Sequence, residues 1–331
     1  LEEEKSLGRV GHLQPLWVAN IVVCEAAAPV IGRLLERGDV ARVETGSDRP
    51  EEWVGLGERG RGAPVAWGVE KIGAHYVWED YGYNGDGVVV AVTDTGVNYH
   101  HHDLRDHLWH NEGEIPGNGI DDDGNGYVDD YLGYYFDGAG GGGPDPMDTD
   151  GHGTHCAGSV ASDGAAGLSC GAAPRTKIMS LKVWMWATHQ GEASVWEAWQ
   201  YALDNGADAC SVSLGWKYEW GPDRATWRAV ADNCVAGGMA LVVAAGNDGS
   251  DPETITCPGD VPKVITVGAT DSRDEIAGFS GRGPVSWADV DPYYDFPCLT
   301  KPDVSAPGVD IVSCSYNDDR GYLWGWNGTS M

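Results

Sequence analysis

No two of the eight cysteines in this 331-residue chain are spaced C-x-x-C, which removes the common zinc and thioredoxin-type readings. No apolar run approaches the roughly 18–20 residues of a bilayer span. No basic stretch leading into an apolar one opens the chain, so no signal peptide is legible after Leu1. Positive charge is scarce: 21 Lys and Arg stand against 51 Asp and Glu, for a formal net charge of −30. Such a surface repels a phosphate backbone and excludes nucleic acid as a partner. It favours solubility and the binding of cations by clustered carboxylates.

A hydrophobic content of 42% supports a substantial core, and the length suits one large domain or a domain with an appendage. Cys24 lies in the N-terminal segment, leaving seven cysteines from Cys156 to Cys314. Seven is odd, so at least one of these thiols stays free, and Cys156 is the candidate. Disulfides and small buried hydrophobes both remain open for the others.

Residues 16–28 are apolar and β-branched enough for a strand. Residues 29–37 carry apolar pairs four apart after an early proline, which predicts a short helix. Residues 39–44 read as a further strand, and residues 45–64, rich in Gly, Glu, Arg and Pro, as an exposed linker. Beyond residue 65, apolar runs at 87–94, 177–183, 209–214, 240–245 and 264–267 alternate with helical patterns, notably at 192–203 and 223–235. That alternation predicts an α/β fold, a parallel sheet with helices on both faces and its site at the C-terminal strand ends. Residues 111–147, dominated by Gly and Asp, have no periodicity and read as a long loop.

Three glycine-flanked stretches carry chemistry: Thr93-Asp94-Thr95-Gly96, Gly151-His152-Gly153-Thr154-His155 and Gly328-Thr329-Ser330-Met331. A serine hydroxyl attacks well only when an imidazole takes its proton, and the imidazole needs a carboxylate to fix its tautomer. Ser330, His152 and Asp94 supply those groups. The order Asp…His…Ser and these motifs resemble the subtilisin-like serine peptidases, in particular the bacillopeptidase F type. The G-x-S-x-G motif of lipases and esterases, with Ser first in order, is lacking.

The resemblance covers residues 67–331 as catalytic domain and, more weakly, residues 15–44 as part of an inhibitory prodomain. It implies residues 1–44 as a partial α+β prodomain, 45–64 as the maturation linker and 65–331 as the catalytic domain with the C-terminal part of its fold missing. In the family the first His of the motif is the base, so His155 is structural. Asn247, after Val243-Ala244-Ala245-Gly246, matches the oxyanion residue, with the Ser330 backbone N–H as second donor. Ser213, Leu214 and Gly215 match one wall of the primary substrate pocket, and Ala244, Ala245 and Gly246 the other. The opposite edge falls near residues 188–191. Trp216, where the family commonly has a small residue, is expected to narrow or cover that pocket. Lys301 to Gly308 match a scaffold signature.

For metals, Asp121, Asp123, Asn125 and Asp129 lie in a D-x-D-x-N-G segment whose hard oxygens and glycine turn suit Ca²⁺. Its twelfth position is Leu132, so it is no EF-hand. Asp103 matches a family calcium ligand by spacing, although the partner loop at 163–166 is short and lacks the usual Asn. The resemblance further implies polypeptide substrates, the prodomain as intramolecular inhibitor, secretion and self-cleavage of a precursor. The alternative is an inactive, protease-derived calcium-binding or interaction module. The stretch from Leu1 to Met331 reads as a fragment, and this polypeptide, ending one residue after Ser330, is expected to have little activity by itself.

Overall fold

The computed structural model describes residue 7 and residues 10–16, 21–26, 28–35, 63–139, 141–183 and 189–331. The chain divides into two compact units, Leu1–Gly60 and Arg61–Met331. In the first, strands β1 (Val10–Leu16) and β2 (Ile21–Ala26) pair antiparallel, followed by helix α1 (Ala28–Leu35). The single strand expected over 16–28 is thus the second arm of a hairpin. Its first arm contains Gly11 and Pro15, which weaken a strand pattern read from composition. The strand expected over 39–44 and the linker up to residue 62 lie outside the described residues.

The second unit opens with a short helix, α2 (Trp67–Lys71), and is built on an eight-stranded sheet in the order β12-β9-β8-β7-β3-β6-β4-β5. Its members are β3 (Val89–Asp94), β4 (Gly133–Phe136), β5 (Gly142–Gly143), β6 (Lys177–Val183), β7 (Ala209–Val212), β8 (Ala240–Ala244), β9 (Ile265–Thr270) and β12 (Val304–Pro307). All neighbours are parallel except β4 and β5. Two antiparallel hairpins, β10 (Val285–Trp287) with β11 (Asp295–Leu299) and β13 (Ile311–Cys314) with β14 (Tyr322–Trp326), complete the strands.

The parallel strands read as continuous apolar runs because both faces are covered. On one face α4 (His189–Asp204) and α5 (Arg224–Ala236) bury Trp199 and Trp227 with Ala91, Met179, Leu181 and Val243. On the other, α3 (His152–Ala161) packs Cys156, Ala157 and Ala161 against Val92, Ile178 and Cys314. Successive residues Ala91 and Val92 therefore serve opposite cores, as period-two alternation requires. The seven cysteines from Cys156 to Cys314 are unpaired, and all but Cys298 are buried as small hydrophobes.

The long segment 111–147 is not wholly loop. Its residues Gly133–Phe136 add a parallel strand beside β6, and Gly142–Gly143 add the short antiparallel edge beyond it. Gly133, at φ 111°, lies so close to the Ser180 carbonyl that a side chain there would clash with it. Glycine reads as a breaker in the sequence and here marks a close approach of two backbones.

Candidate active site

Asp94 is the last residue of β3 and is fully buried. Directly after it, Gly96 adopts φ 110° and passes so close to Pro146 that a Cβ would collide with its carbonyl oxygen. The chain can turn away from the strand there only because the residue is glycine. The Asp94 carboxylate accepts the Thr95 backbone N–H at 2.7 Å and meets His152 Nδ1 through both oxygens, at 2.8 and 3.0 Å.

His152 opens α3, whose preceding Gly151 has no side chain to cap the helix. Asp148 does that work from upstream. Its buried carboxylate accepts the N–H groups of Asp150, Gly151 and Thr154 and the hydroxyls of Thr95 and Thr154. Thr95 Oγ1 in turn accepts the Gly153 N–H at 2.8 Å. One carboxylate thus ties the turn after Asp94 to the helix start that carries His152. Asp148 did not stand out in the sequence; an acidic residue just upstream of a helix start was the available signal.

Burial disfavours the imidazolium of His152, while the Cys156 sulfur, the Asp94 charge and the Asp94 hydrogen bond favour it; the balance raises its pKa. Cys156 is itself raised, chiefly by burial, and stays a thiol at neutral pH. Asp94 is therefore the charge that holds a proton on His152. His155 is pushed the other way, to about 4, by burial and then by the neighbouring His152. It is buried and stacks on Trp326, ring centroids 4.6 Å apart. That neutral stack places His155 in the packing beneath the site.

Ser330 follows β14, in the loop that passes the end of β8. Its carbonyl accepts the Ser213 hydroxyl at 3.0 Å, and its own hydroxyl donates to the Ser213 carbonyl at 3.3 Å rather than to His152. Asn247 lies beyond β8, after Gly246. Its Oδ1 accepts both the N–H and the hydroxyl of Thr329, at 2.9 and 3.1 Å. With the amide oxygen so engaged, Nδ2 is left to donate elsewhere. A Cβ at Gly328 would lie 3.7 Å from that nitrogen and 3.6 Å from the Ser330 nitrogen. Both donors therefore border the same small space.

A cavity of about 190 Å³ opens beside Ser330. Of the residues expected to line it, Ser213, Leu214, Gly215, Ala244 and Gly246 do so. Ala245 does not: it is fully buried behind the wall, bonded through its backbone to Val267 and Thr256. Trp216 neither narrows nor covers the cavity. Its backbone pairs with Cys257 and its ring packs inward on Trp227, centroids 5.2 Å apart. Residues that composition did not single out, Lys217, Trp220, Asp248 and Thr256, complete the lining. Of the opposite edge expected near 188–191, residue 188 lies outside the described residues.

In the acidic loop, single ligand oxygens of Glu114, Asp121 and Asp123 lie within 4.8 Å of one another, a hard donor set that suits Ca²⁺. Glu114 was not anticipated. Asn125 uses its amide on Asp123 and Asp130 and its oxygen on the Tyr127 N–H. Asp129 instead turns its two oxygens to the N–H groups of Asn118 and Gly119. Asp103, fully buried, accepts from Ser162, Tyr322 and the Ala166 N–H. Single ligand atoms of Asp103, His101 and Cys314 also lie within 4.8 Å of one another, and the oxygens of Asp103, like those of Glu114, Asp121 and Asp123, accept protein donors as well.

Residues 85–331 match the profile of the Subtilase family. The chain is 37% identical over 251 residues to Serine protease AprX of Bacillus subtilis (strain 168), covering 69% of this chain and 48% of that protein. It is 32% identical to Thermophilic serine proteinase of Bacillus sp. (strain AK1), covering 80% of this chain and 54% of the relative. It thus spans about half the length of these two. Against Subtilisin of Bacillus pumilus the identity is 31%, over 81% of this chain and 80% of the other. Among solved structures, Sphericase superposes with a TM-score of 0.58 at 26% identity, covering 80% of this chain and 79% of its own.

Proposed function

Because the chain belongs to the subtilase family, we propose that it is the core of a serine endopeptidase that hydrolyses polypeptides through an acyl-enzyme. The observation that carries this reading is the buried Asp94 carboxylate, held against His152 Nδ1 at 2.8 Å, in a domain where Thr329, the neighbour of Ser330, donates its N–H to Asn247. Asp94 fixes the tautomer with the proton on Nδ1, leaving Nε2 to act as base. A rotation about the Ser330 Cα–Cβ bond, between staggered positions, turns its hydroxyl from the Ser213 carbonyl to the imidazole. The Ser330 oxygen attacks the substrate carbonyl while His152 takes its proton. Negative charge on the carbonyl oxygen falls to Asn247 Nδ2 and the Ser330 N–H. His152 then returns the proton to the leaving amine, and water repeats the sequence on the ester. Labelling of Ser330 by a serine-reactive phosphonate, with turnover of an unstructured protein, tests the reading in the full-length protein. Correct folding with neither result would favour the calcium-binding or interaction module.

Secretion, maturation within residues 45–64 and inhibition by residues 1–44 belong to the same proposal. Among the described residues no helix is long and apolar enough to cross a membrane.

The raised His152 pKa sets a pH dependence. Protonated His152 cannot accept the Ser330 proton, so activity rises with pH as the imidazolium is lost. With the pKa raised, that rise lies above the ordinary imidazole value of about 6.5. An acid limb at or below that value in kcat/KM would remove Asp94 as the controlling charge.

Calcium is proposed as a structural ion held by Glu114, Asp121 and Asp123. When bound, it neutralises their mutual repulsion. Saturating Ca²⁺ at about 100 times Kd stabilises by about 2.7 kcal/mol, or roughly 5–10 °C in Tm for a domain of this size. Asp121→Ala/Asp123→Ala abolishes the shift between Ca²⁺ and chelator. Asp129→Ala lowers Tm in both conditions but keeps the shift. A shift that survives the double variant would place the ion elsewhere.

A further inference from the structure

The turn after β3 and the end of β13 bring together side chains that belong neither to the triad nor to the acidic loop. His101, Asp103 and Cys314 are fully buried there, and one ligand atom from each lies within 4.8 Å of the other two. A carbonyl only accepts, so His101 Nε2 donates its proton to the Gly321 carbonyl at 2.9 Å. Nδ1 is then the basic nitrogen, and it accepts the Asp103 N–H at 3.2 Å, the long end of the range. Anchoring one ring N–H on a carbonyl is what fixes the tautomer of a metal-bound histidine. Tyr322 holds the ring from the side, edge to face at 6.0 Å.

Asp103 is the costly member. Its oxygens accept the hydroxyls of Ser162 and Tyr322, at 2.7 and 2.9 Å, and the Ala166 N–H; none of these partners is cationic. His101 supplies no charge either, since its Nδ1 is an acceptor. A carboxylate taken wholly out of water is normally paired with a cation or bound to a metal. Ser162 also hydrogen-bonds the Cys314 thiol, so its hydroxyl stands between the carboxylate and the sulfur.

We propose that His101 Nδ1, one Asp103 oxygen and Cys314 Sγ form a buried structural site for a borderline divalent ion of the Zn²⁺ class, with the Ser162 hydroxyl as neutral fourth ligand. Ligand atoms around tetrahedral Zn²⁺ stand roughly 3.3–3.8 Å apart, so three atoms within 4.8 Å close on it by about 1 Å of side-chain movement. A thiolate and an imidazole are poor ligands for Ca²⁺, which takes about six to eight oxygens, so the site differs in kind from the acidic loop. The balance of charge also fits. Cys314 gives its thiol proton to water as the ion binds, and carboxylate and thiolate together match the two positive charges. The ion joins the turn after β3 to the hairpin of β13 and β14, which the His102 N–H already ties to the Asp319 carbonyl at 2.8 Å.

The test uses the full-length Ser330→Ala protein, which removes self-digestion, with Cys24→Ser, Cys156→Ala and Cys298→Ser to remove competing thiols. Ca²⁺ is present throughout to fill the acidic loop. Because the site is closed to solvent, the protein is refolded with Zn²⁺, with Co²⁺ or with a transition-metal chelator, then freed of loose metal. One ion per chain should remain, and the Co²⁺ form should show thiolate-to-metal charge-transfer absorption. Tm of the Zn²⁺ form should exceed that of the chelator form by about 5–10 °C. Cys314→Ala should abolish the absorption, and it and Asp103→Asn should each weaken binding by about a hundredfold or more. Cys170→Ala, which removes a neighbouring buried thiol, should keep the ion. If a variant fails to fold, alkylation of the parent decides. In moderate denaturant Zn²⁺ should slow labelling of Cys314 by about tenfold or more relative to Cys210, which lies in the opposite core. No retained ion, no thiolate band, a band that survives Cys314→Ala, or labelling of the two thiols in the same ratio with and without Zn²⁺ overturns the proposal. So does loss of the ion in Cys170→Ala, or a Tm gain of the same size from Ca²⁺ that Asp103→Asn removes.

Discussion

Ser330→Ala in the full-length protein is expected to lower kcat by about 10⁶-fold, the size of the loss on removing a subtilisin nucleophile. No neighbouring group can substitute. Cys156 is the nearest alternative nucleophile, but its sulfur is fully buried, bonds toward the Ser330 carbonyl and is kept protonated chiefly by burial. The same variant should leave the chain uncut within residues 45–64, because self-cleavage needs the same hydroxyl. Turnover of an unstructured protein and the mass of the purified chain give the two readings. Residual turnover above about 1% of the parent would mean that another group attacks. Normal cutting in a purified system would mean that maturation depends on a second protease.

Asp94→Asn is expected to cost about 10⁴-fold in kcat with little change in KM. The carboxylate meets His152 Nδ1 through both oxygens. An amide there can present its NH₂ to the ring and favour the tautomer with its proton on Nε2, where the base is needed. The stabilising charge on the imidazolium is lost as well, so the acid limb of the pH profile should move down. That downward movement separates an electrostatic role from a structural one, which would leave the limb in place. If kcat fell with no movement of the limb, Asp94 would act on the fold rather than on the proton. Combining Asp94→Asn with Ser330→Ala should add almost nothing to the loss from Ser330→Ala alone, since the two act as one unit.

The sequence made the sheet legible where strands are buried on both faces. Ala240–Ala244 is an unbroken apolar run, and Lys177–Val183 is apolar at four of its seven positions, which a strand or a short helix accommodates. The strand Gly133–Phe136 was hidden by the Gly and Asp around it, because its place depends on the absence of a side chain opposite Ser180. Among site residues, Asp94, His152, Asn247 and Ser330 stood out through their glycine-flanked motifs. Asp148 and Thr329 did not, since their roles exist only as hydrogen bonds to Thr95, Thr154 and Asn247, formed by folding. Trp216 was misjudged for a related reason. Its position beside Gly215 is readable, but whether its ring turns outward to the cavity or inward to Trp227 depends on a core partner distant in sequence. The Lys217–Asp248 pair joins two loops 31 positions apart and leaves no mark in either local pattern.

The contacts that complete the site span long stretches of chain, and the nucleophile comes last. His152 meets Asp94 from 58 residues away, Thr329 meets Asn247 from 82, and Ser330 meets Ser213 from 117. Synthesis runs from the N-terminus, so a nascent chain carries the acid and the base long before it carries the hydroxyl. The parallel sheet delays matters further, because non-local pairings close slowly. A chain still emerging from its ribosome, or cut short anywhere before residue 330, is therefore harmless to itself and to its neighbours. Placing the attacking group after the acid and the base in the linear order acts as a timing safeguard, one that a Ser…Asp…His order would not provide.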